Sequence, residues 1–280
     1  MNRFQKPRIK GLNLVLKPIE QLPDSDVTLL LELQQNDSID VFSVFMARIC
    51  DELDKVSHPK LAVKTIISLI TTWKDFFSGN SEILSEERQT GLFGELYLLY
   101  YFVAEGVDIG KTISSWTGSK KTSQDYEFGS VSVEVKSSTA VDTSRVKISN
   151  LRQLDNKGLA NLFLARVLFD TRQGKDETLP RLIQLIRTEL QEKAPDSELE
   201  FEEKLISAGY HSKHFQLYGN RMYAMRKLTF YRVKNDFPRL LEDGVPLGIT
   251  KVSYEINLDN CRDFIIDDKK VMKTVRACCD

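Results

Sequence analysis

Two carboxylates and a lysine lie within twelve residues of one another near the middle of this 280-residue chain: Asp125, Glu134 and Lys136. Valines alternate with polar residues over 131–136, which is the pattern of a half-buried strand and predicts that Glu134 and Lys136 point to the same face. A hairpin turn at about Gly129-Ser130 would return the preceding segment beside this strand and bring Asp125 close to Glu134. The sequence therefore predicts two carboxylates and an ammonium group in one small patch.

Such a patch has a chemical use at a phosphodiester. Mg²⁺ takes carboxylate oxygens from proteins, commonly one or two of them, and water and substrate phosphate complete its octahedron. The lysine would hold or activate the attacking water and offset charge on the phosphate. The alternative interpretation is a surface hairpin with an ordinary Glu/Lys pair, because short matches of this kind arise by chance in unrelated proteins. The elements around the patch must decide between the two.

Composition and charge restrict the class of protein. The chain is 41% hydrophobic and 28% charged, which is typical of an ordinary globular protein. Its formal net charge of −1 gives no overall attraction to nucleic acid. Locally, however, the stretch from Lys111 to Arg152 contains seven basic and four acidic residues, and three of those acids lie within 125–136. Nucleic acid would therefore be bound by a local surface.

The location expected from the sequence is the cytoplasm. No long apolar run follows the N-terminal residues 1–7, so no signal peptide is predicted. The apolar clusters are broken by charges well before 18 residues, which excludes a membrane-spanning helix. The four cysteines are widely and irregularly spaced, which favours reduced thiols over a disulfide framework or a zinc knuckle.

The N-terminal residues are predicted to form a structural extension. Alternating leucines over 12–16 and the apolar run 27–33 predict a small lead-in sheet. Apolar residues then recur at helical spacing over 39–56 and again over 59–77, which predicts two amphipathic helices. Their apolar faces are interpreted as core packing.

A further helix is predicted to begin near Ser85 and to end at about Glu105-Gly106. Glu95 lies on or beside the apolar stripe of this helix, where an unpaired carboxylate is costly. Gly91 and Gly94 weaken a helix, which indicates close packing against a neighbour. Two interpretations of Glu95 stay open at this point: a buried residue bonded to an arginine or a backbone group, or a functional residue.

The elements that follow define an α/β order. A turn-rich approach over 112–124 leads into the hairpin, and Arg145–Ile148 is predicted to be a third strand. Ser149 or Asn150 would cap a short helix carrying Gln153. The apolar run 161–169 has the length of a strand covered on both faces. The order helix, strand, strand, strand, helix, strand predicts a layered α/β core.

These residues resemble the PD-(D/E)XK nuclease superfamily, which has the restriction-endonuclease-like fold. They are similar in particular to a family of its members found in bacterial phage-defence and restriction gene neighbourhoods. The matching pieces occur in the same order: Gly91-Leu92-Phe93-Gly94-Glu95-Leu96, Trp116-Thr117-Gly118, Asp125-Tyr126, Glu134-Val135-Lys136, Arg152-Gln153-Leu154-Asp155 and Phe237-Pro238-Arg239-Leu240. The resemblance implies an α/β fold with an αβββαβ nuclease core over 81–170. An N-terminal strand and helical extension would occupy 1–80, and a C-terminal α+β extension 171–280.

The resemblance also implies roles for individual residues. Asp125 and Glu134 would be metal ligands, Lys136 the catalytic lysine, and Glu95 the accessory acidic residue that completes the metal site. The implied cofactor is Mg²⁺, with Mn²⁺ as a substitute.

Two positions depart from the superfamily pattern. Gln153 matches a glutamine that some of these nucleases carry on the helix after the third strand, and it is kept as a fifth catalytic candidate. Those nucleases often have a tyrosine four residues later, where this chain has Lys157. The proline that gives the superfamily its name is replaced by Gln124.

The C-terminal third is predicted to begin with a helix at Thr178-Leu179-Pro180 and to include a strand over 251–258. Basic and aromatic residues alternate over 211–234, which suits either a nucleic-acid backbone with stacking platforms or exposed strands whose long side chains cover a sheet. A zinc site at His211 and His214 is disfavoured, because no cysteine or carboxylate cluster accompanies them.

The sequence therefore leads to the hypothesis of a Mg²⁺-dependent DNA endonuclease of a restriction or anti-phage system. The alternatives are a non-catalytic DNA-binding or scaffolding subunit of a defence complex with the same fold, and a nuclease acting on RNA. Expected partners are DNA and other proteins of such a system. A homodimer is a further expectation, since duplex DNA has two strands to cut.

Overall fold

The computed structural model describes residues 11–18, 27–34, 39–78, 82–118, 124–140, 144–171 and 177–279. The sequence further predicts a β-turn at Pro23-Asp24, a helix cap at Asp37 or Ser38 and a helix end at Gly79-Asn80, and these three positions lie outside the described residues. The described residues form two compact units. One contains the chain up to Ile83 together with Leu205–His214, and the other contains Leu84–Lys204 and the chain from Phe215 onward.

The first unit contains the predicted small sheet and two amphipathic helices. Strands β1 (Leu12–Pro18) and β2 (Val27–Leu33) pair antiparallel, and they precede helices α1 (Ile39–Asp54) and α2 (Pro59–Ser78). Leucines of β1 and the apolar stripes of both helices form one core. This unit supplies none of the five predicted catalytic residues.

The second unit contains the remaining elements, except that one helix crosses into the first unit at Leu205. In chain order they are α3 (Glu86–Ala104), α4 (Ile109–Ser115), β3 (Tyr126–Phe128), β4 (Val131–Ser138), β5 (Arg145–Ile148), β6 (Asn161–Asp170), β7 (Glu177–Thr178), α5 (Leu179–Lys193), α6 (Glu198–Ala208, the crossing helix), α7 (Phe215–Tyr218), β8 (Met222–Val233), β9 (Tyr254–Asn257), β10 (Ile265–Ile266) and α8 (Asp268–Arg276).

The main sheet is mixed. Its strands lie in the order β10-β8-β6-β4-β3, and β7 pairs with the start of β8. Strands β4 and β6 run parallel, whereas the other pairs in this sheet are antiparallel. Together with the surrounding helices, this sheet makes the protein an α/β fold, as the element order predicted.

Strand β5 differs from the prediction. It is a strand, but it pairs antiparallel with β9 in a separate two-stranded sheet instead of joining the main sheet. Apolar residues of β5 and β9 pack with Leu162 and Leu164 of β6, and these two leucines are paired with Ser132 and Glu134 of β4. Since paired residues share a face of a sheet, the small sheet covers the polar face of β4.

Strand β4 is therefore buried on both faces, and the prediction of a half-buried strand was wrong. Its valines are buried, and Ser132 and Glu134 are each only 1% exposed. The alternating pattern gave the two faces correctly, but both of them are covered.

Three local predictions also need correction. The turn-rich approach begins with a helix, because 112–115 belong to α4. The predicted helix around Gln153 is a four-residue 3₁₀ turn, Leu151–Leu154. The charged C-terminal residues, which the sequence predicts to be a tail, form the amphipathic helix α8, which buries Val271, Met272 and Val275. None of the helices in the described ranges is both long and apolar enough to cross a membrane.

Three tyrosines of the C-terminal third are core residues. Tyr218, Tyr223 and Tyr231 are at most 7% exposed, whereas Arg226 and Arg232 of β8 are exposed. The stacking-platform interpretation is therefore wrong for these three tyrosines.

Helix α3 begins as predicted, with the Ser85 side chain accepting a hydrogen bond from the Arg88 N–H. The close packing inferred from its glycines occurs at Gly94 alone. A Cβ atom on Gly94 would lie 2.4 Å from Cβ and 2.6 Å from Oγ of Ser137, whereas one on Gly91 would meet nothing within 4 Å. The Ser137 hydroxyl donates a hydrogen bond to the Thr90 carbonyl of the same helix. Gly94 therefore lets α3 lie directly against β4.

The two glycines form a matched pair for a stability test. Gly94→Ala should lower the free energy of unfolding by about 1–3 kcal/mol, because the added methyl group overlaps Ser137. Gly91→Ala should raise it by up to about 1 kcal/mol, since alanine favours the helix and the site is open. Urea unfolding followed by circular dichroism measures both, and equal effects of the two substitutions would contradict the packing described.

Candidate active site

The predicted hairpin brings Asp125 to β4. Gly129 adopts a φ of 60° in its turn, a left-handed conformation that glycine takes without a Cβ penalty. Tyr126 then pairs with Val133, so Asp125 lies beside the next part of β4. Its Oδ2 accepts a hydrogen bond from the Val135 N–H at 2.8 Å. One oxygen of this carboxylate is thereby fixed by the backbone.

Glu134 and Lys136 lie on the same face of β4, as the alternation predicted. The Lys136 Nζ is 2.6 Å from the Glu134 Oε1. This short ion pair makes Lys136 the partner of Oε1 among the described residues. A carboxylate has about four lone-pair positions, and a single ammonium contact leaves others open. Glu134 therefore keeps acceptor capacity for a ligand.

Glu95 extends from α3 to the same place and is held at two points. Its Oε2 accepts a hydrogen bond from the Trp116 Nε1 at 2.8 Å. Its main-chain carbonyl accepts one from the Tyr126 hydroxyl at 2.7 Å. Trp116 and Tyr126 are both fully buried, so the position of Glu95 is set by large, immobile side chains. The side-chain partner of Glu95 is thus a tryptophan, and no arginine among the described residues is bonded to it.

Gly118 lies where the carboxylates of Glu95 and Asp125 meet. The N–H groups of Thr117 and Gly118 both donate to the Asp125 carbonyl, at 2.8 and 3.1 Å. A Cβ atom on Gly118 would lie 2.4 Å from the Glu95 Oε2 and 2.8 Å from the Asp125 Oδ1. The two carboxylates therefore approach the same point, and only the absence of a side chain at 118 leaves room for them.

The pKa values of these groups reflect a buried excess of negative charge. Burial raises the pKa of Glu95 well above its usual value, and the charge of Asp125 adds to the effect. Burial also raises the pKa of Asp125, although Lys136 opposes it. Burial and then the charge of Asp125 raise the pKa of Glu134 to about 8. Burial alone would lower the pKa of Lys136, but the charges of Glu134 and Asp125 raise it overall.

The residues present fit a hard divalent cation. Three carboxylates face one ammonium group, and of these Glu134 is buried while Glu95 and Asp125 are partly exposed. Mg²⁺ prefers such oxygens and commonly takes only one or two of them from the protein. Within the part of the chain that the structure describes, no three His, Cys, Asp or Glu side chains are grouped closely enough to hold a metal by themselves. The arrangement thus offers an open set of carboxylates, and water and substrate would have to supply the other ligands.

Among the described residues, no hydrogen bond connects Gln153 to Glu95, Asp125, Glu134 or Lys136. Its Oε1 accepts from the Ser149 N–H at 2.8 Å, which makes it a local cap of the 3₁₀ turn. The neighbouring Gln124 has a positional role that the sequence did not reveal: its amide donates to the carbonyls of Arg152 and Asp155. These bonds tie the 3₁₀ turn to the residue that precedes Asp125.

Sequence reasoning also missed the roles of Trp116, Gly118 and Tyr126. From the sequence, Trp116-Thr117-Gly118 is only one of the pieces that match the superfamily. The available sequence signal is a tryptophan, whose indole N–H needs a partner when it is buried, together with a glycine shortly before the hairpin. Without coordinates, nothing connected either of them to Glu95.

The role of Gly118 can be tested with one methyl group. Gly118→Ala should displace the Glu95 or Asp125 carboxylate, because its Cβ would overlap both. A displacement of about 1 Å at reacting groups lowers rates by about 100-fold. The measurement is the rate of nucleic-acid cleavage together with the melting temperature. Gly158→Ala, at a positive φ of 81° in open space, is the control for a substitution that strains the backbone without touching the site. Full cleavage by Gly118→Ala would show that the carboxylates are not constrained as described.

A mixed α/β sheet that presents Asp125 and Glu134-Val135-Lys136 on a hairpin, with a third carboxylate from helix α3, defines a nuclease-like class of protein. The chain belongs to the family described as "Putative PD-(D/E)XK family member, (DUF4420)", whose model matches residues 5–259. The resemblance noted from the sequence is thereby confirmed. No curated protein matches the chain, and no solved structure does.

Proposed function

We propose that this protein is a Mg²⁺-dependent DNA endonuclease of a bacterial restriction or anti-phage defence system. The observation that carries the proposal is the meeting of Glu95, Asp125, Glu134 and Lys136 at one place, although they come from a helix, a hairpin arm and a strand. Membership of a PD-(D/E)XK family supports the same chemistry.

The contacts of the three carboxylates indicate which of their oxygens are available to a cation. The Val135 N–H occupies the Asp125 Oδ2, so Oδ1 is the oxygen directed toward Gly118 and available to a cation. Glu134 contributes Oε1. The Glu95 Oε2 is held by Trp116, so Glu95 would complete or orient the site. A bound Mg²⁺ would supply electrophilic activation of the phosphate and a low-pKa water.

Lys136 provides the positive charge of the site. Its raised pKa keeps the ammonium group protonated at neutral pH. In that form it donates hydrogen bonds and stabilises negative charge that develops on the phosphate. It would leave the Glu134 Oε1 and turn to the phosphate or to the attacking water when substrate and cation bind.

The core we propose is restriction-endonuclease-like. Helix α3, the β3–β4 hairpin and the parallel neighbour β6 follow the expected order and surround the site. The departure is β5, which packs over the polar face of β4 as part of the small sheet.

Cleavage of plasmid DNA tests the proposal. Purified wild type should cut DNA with Mg²⁺ or Mn²⁺ and not with EDTA, and Asp125→Asn and Lys136→Met should cut poorly. Glu127→Gln is the matched control, because Glu127 is an exposed carboxylate on the same hairpin. It should cut as wild type does.

The alternatives give different outcomes. If wild type cuts no better than Asp125→Asn on unmodified DNA, modified DNA or RNA, the nuclease proposal fails for the isolated chain. DNA binding that persists without cleavage would then favour the non-catalytic DNA-binding or scaffolding subunit. Cleavage restricted to RNA would replace DNA as the substrate.

A further inference from the structure

Arg166 is a buried cation beside the site that the mechanism above does not use. It lies on β6 in register with Lys136 of β4, so the two side chains share a face of the sheet. Only 5% of its surface is exposed. An arginine in the middle of a sheet is rarely buried to this degree unless it is paired.

The contacts of Arg166 leave its guanidinium largely unsatisfied. Its Nη1 lies 3.4 Å from the Lys136 carbonyl oxygen and its Nη2 lies 3.4 Å from the Arg145 carbonyl oxygen. Both distances are beyond the usual range for an N–H···O bond. Its buried Nε has no partner. Among the described residues, no carboxylate oxygen lies within 4.0 Å of the Arg166 guanidinium nitrogens, which is the distance that defines an ion pair. Burial lowers the pKa of Arg166 below the usual value, which reflects the cost of this position.

A second arginine is directed toward the same end of β4 by a β-bulge. The pairing of β6 with β8 shifts at Leu168/Phe169, so that Leu168 faces Lys227 while Phe169 faces Met225. Arg226 is the extra residue of this bulge. Bulges commonly re-aim side chains next to active sites. Arg226 is exposed.

The position of Arg226 relative to Arg166 makes a cationic pair. The Arg226 Nη2 lies 3.4 Å from the Ala140 carbonyl oxygen, just beyond β4. The Arg166 Nη1 approaches the Lys136 carbonyl oxygen, four residues before Ala140. Both guanidinium groups therefore lie at the C-terminal end of β4, one buried and one exposed. After burial, the positive charge of Arg226 further lowers the pKa of Arg166. No carboxylate among the described residues is paired with either guanidinium group, so both have donors available in the forked geometry that suits a phosphate group.

We propose that Arg166 and Arg226 bind a phosphate group of the DNA strand close to the cleaved linkage, and so fix the position of that strand across Lys136. This proposal rests on the proposed function, since it assigns a neighbouring contact of the same substrate. The exposed Arg226 would contact the phosphate first, and the buried Arg166 would donate hydrogen bonds to it from the protein side. A phosphate there would satisfy the Nε that is left without a partner.

DNA binding without cleavage separates this contact from catalysis. Affinity for a labelled duplex is measured by fluorescence anisotropy in Ca²⁺ or EDTA over a range of salt concentrations. Arg226→Gln and Arg166→Met should each weaken binding by about tenfold. Each should also reduce the slope of log K against log salt by about 0.9, the value for one phosphate contact. Arg181→Gln, which removes an exposed arginine of α5 paired with Glu177, should change neither quantity.

A methylphosphonate scan identifies the phosphate itself. Neutral linkages are placed one at a time along each strand, and wild type should lose affinity at one position near the cut. Arg226→Gln should be insensitive at that position and remain sensitive elsewhere, which a merely structural arginine would not produce. Arg166→Lys, which keeps the charge but not the fork, should bind with intermediate affinity. If Arg166→Met does not fold, Arg226→Gln and Arg166→Lys still give the answer.

Failure of this proposal is distinguishable from failure of the nuclease proposal. If wild type cleaves DNA while both arginine variants retain its affinity, salt slope and methylphosphonate profile, the phosphate contact is overturned and the nuclease stands. If wild type never cleaves but the variants change the profile as described, the contact stands without catalysis. Absence of DNA binding by wild type would overturn the contact.

Discussion

Replacing Lys136 with methionine is expected to lower the rate of DNA cleavage by about 10²–10⁴-fold while leaving DNA binding nearly intact. Methionine has a similar length but carries no charge, so it removes the stabilisation of developing phosphate charge and the donor for the attacking water. Burial of Lys136 amplifies the loss, because its charge acts in a region from which water is largely excluded. The measurement is the single-turnover rate at saturating DNA with Mg²⁺, alongside affinity in Ca²⁺.

Lys111→Met is the control for this prediction. Lys111 is an exposed lysine on α4 in the same unit of the chain, and its loss should leave the cleavage rate within about twofold, as expected of a surface substitution remote from a reacting group. A Lys136→Met protein that cuts at the wild-type rate would remove Lys136 from the mechanism. Equal losses in binding and in rate would instead assign it to substrate affinity alone.

The stability of the metal-free protein is expected to fall as the pH rises from about 5 to about 8.5. Glu134 has a pKa of 4.5 when exposed and about 8 in the folded protein. Between these values the folded state binds the proton more tightly than the unfolded state does, so the free energy of unfolding decreases with rising pH. Glu95 and Asp125, whose pKa values are also raised, act in the same direction. The combined effect should be on the order of a few kcal/mol.

Melting temperatures in EDTA at pH 6 and pH 8.5 measure this slope. Glu134→Gln should show a smaller decrease across that range, because glutamine has no proton to lose. Mg²⁺ should raise the melting temperature of wild type more at pH 8.5 than at pH 6, since its carboxylate ligands must be deprotonated. Identical slopes for wild type and Glu134→Gln would show that Glu134 is not held protonated by burial.

The parts of the site that the sequence predicted are those encoded by local pattern. The alternation over 131–136 placed Glu134 and Lys136 on one face, and Gly129 marked the turn that brings Asp125 beside them. Glu95 stood out because a carboxylate on an apolar stripe needs an explanation. Each of these inferences depends on residues within a few positions of one another, where spacing alone fixes direction.

The parts that escaped prediction depend on distant pairings. Nothing near Arg145–Ile148 indicates that its partner is β9, more than 100 residues later, and so the covering of the polar face of β4 was not expected. Arg166 was hidden for a related reason. It lies within the apolar run of β6, where a single cation only interrupts the hydrophobic pattern. Its position beside Lys136 and beside the bulge of β8 follows from the strand registers, which the sequence does not give.

The fluorescence of Trp116, whose indole N–H holds Glu95, reports on the state of the site. The chain contains two tryptophans. Trp73 belongs to the core of the first unit, and Trp116 donates its N–H to the Glu95 carboxylate. In a Trp73→Phe background, all indole emission would come from the side chain bonded to Glu95. Protonation of that carboxylate, or its recruitment by a cation, would change the field at the indole and shift the emission, so that ligand binding could be followed without a label.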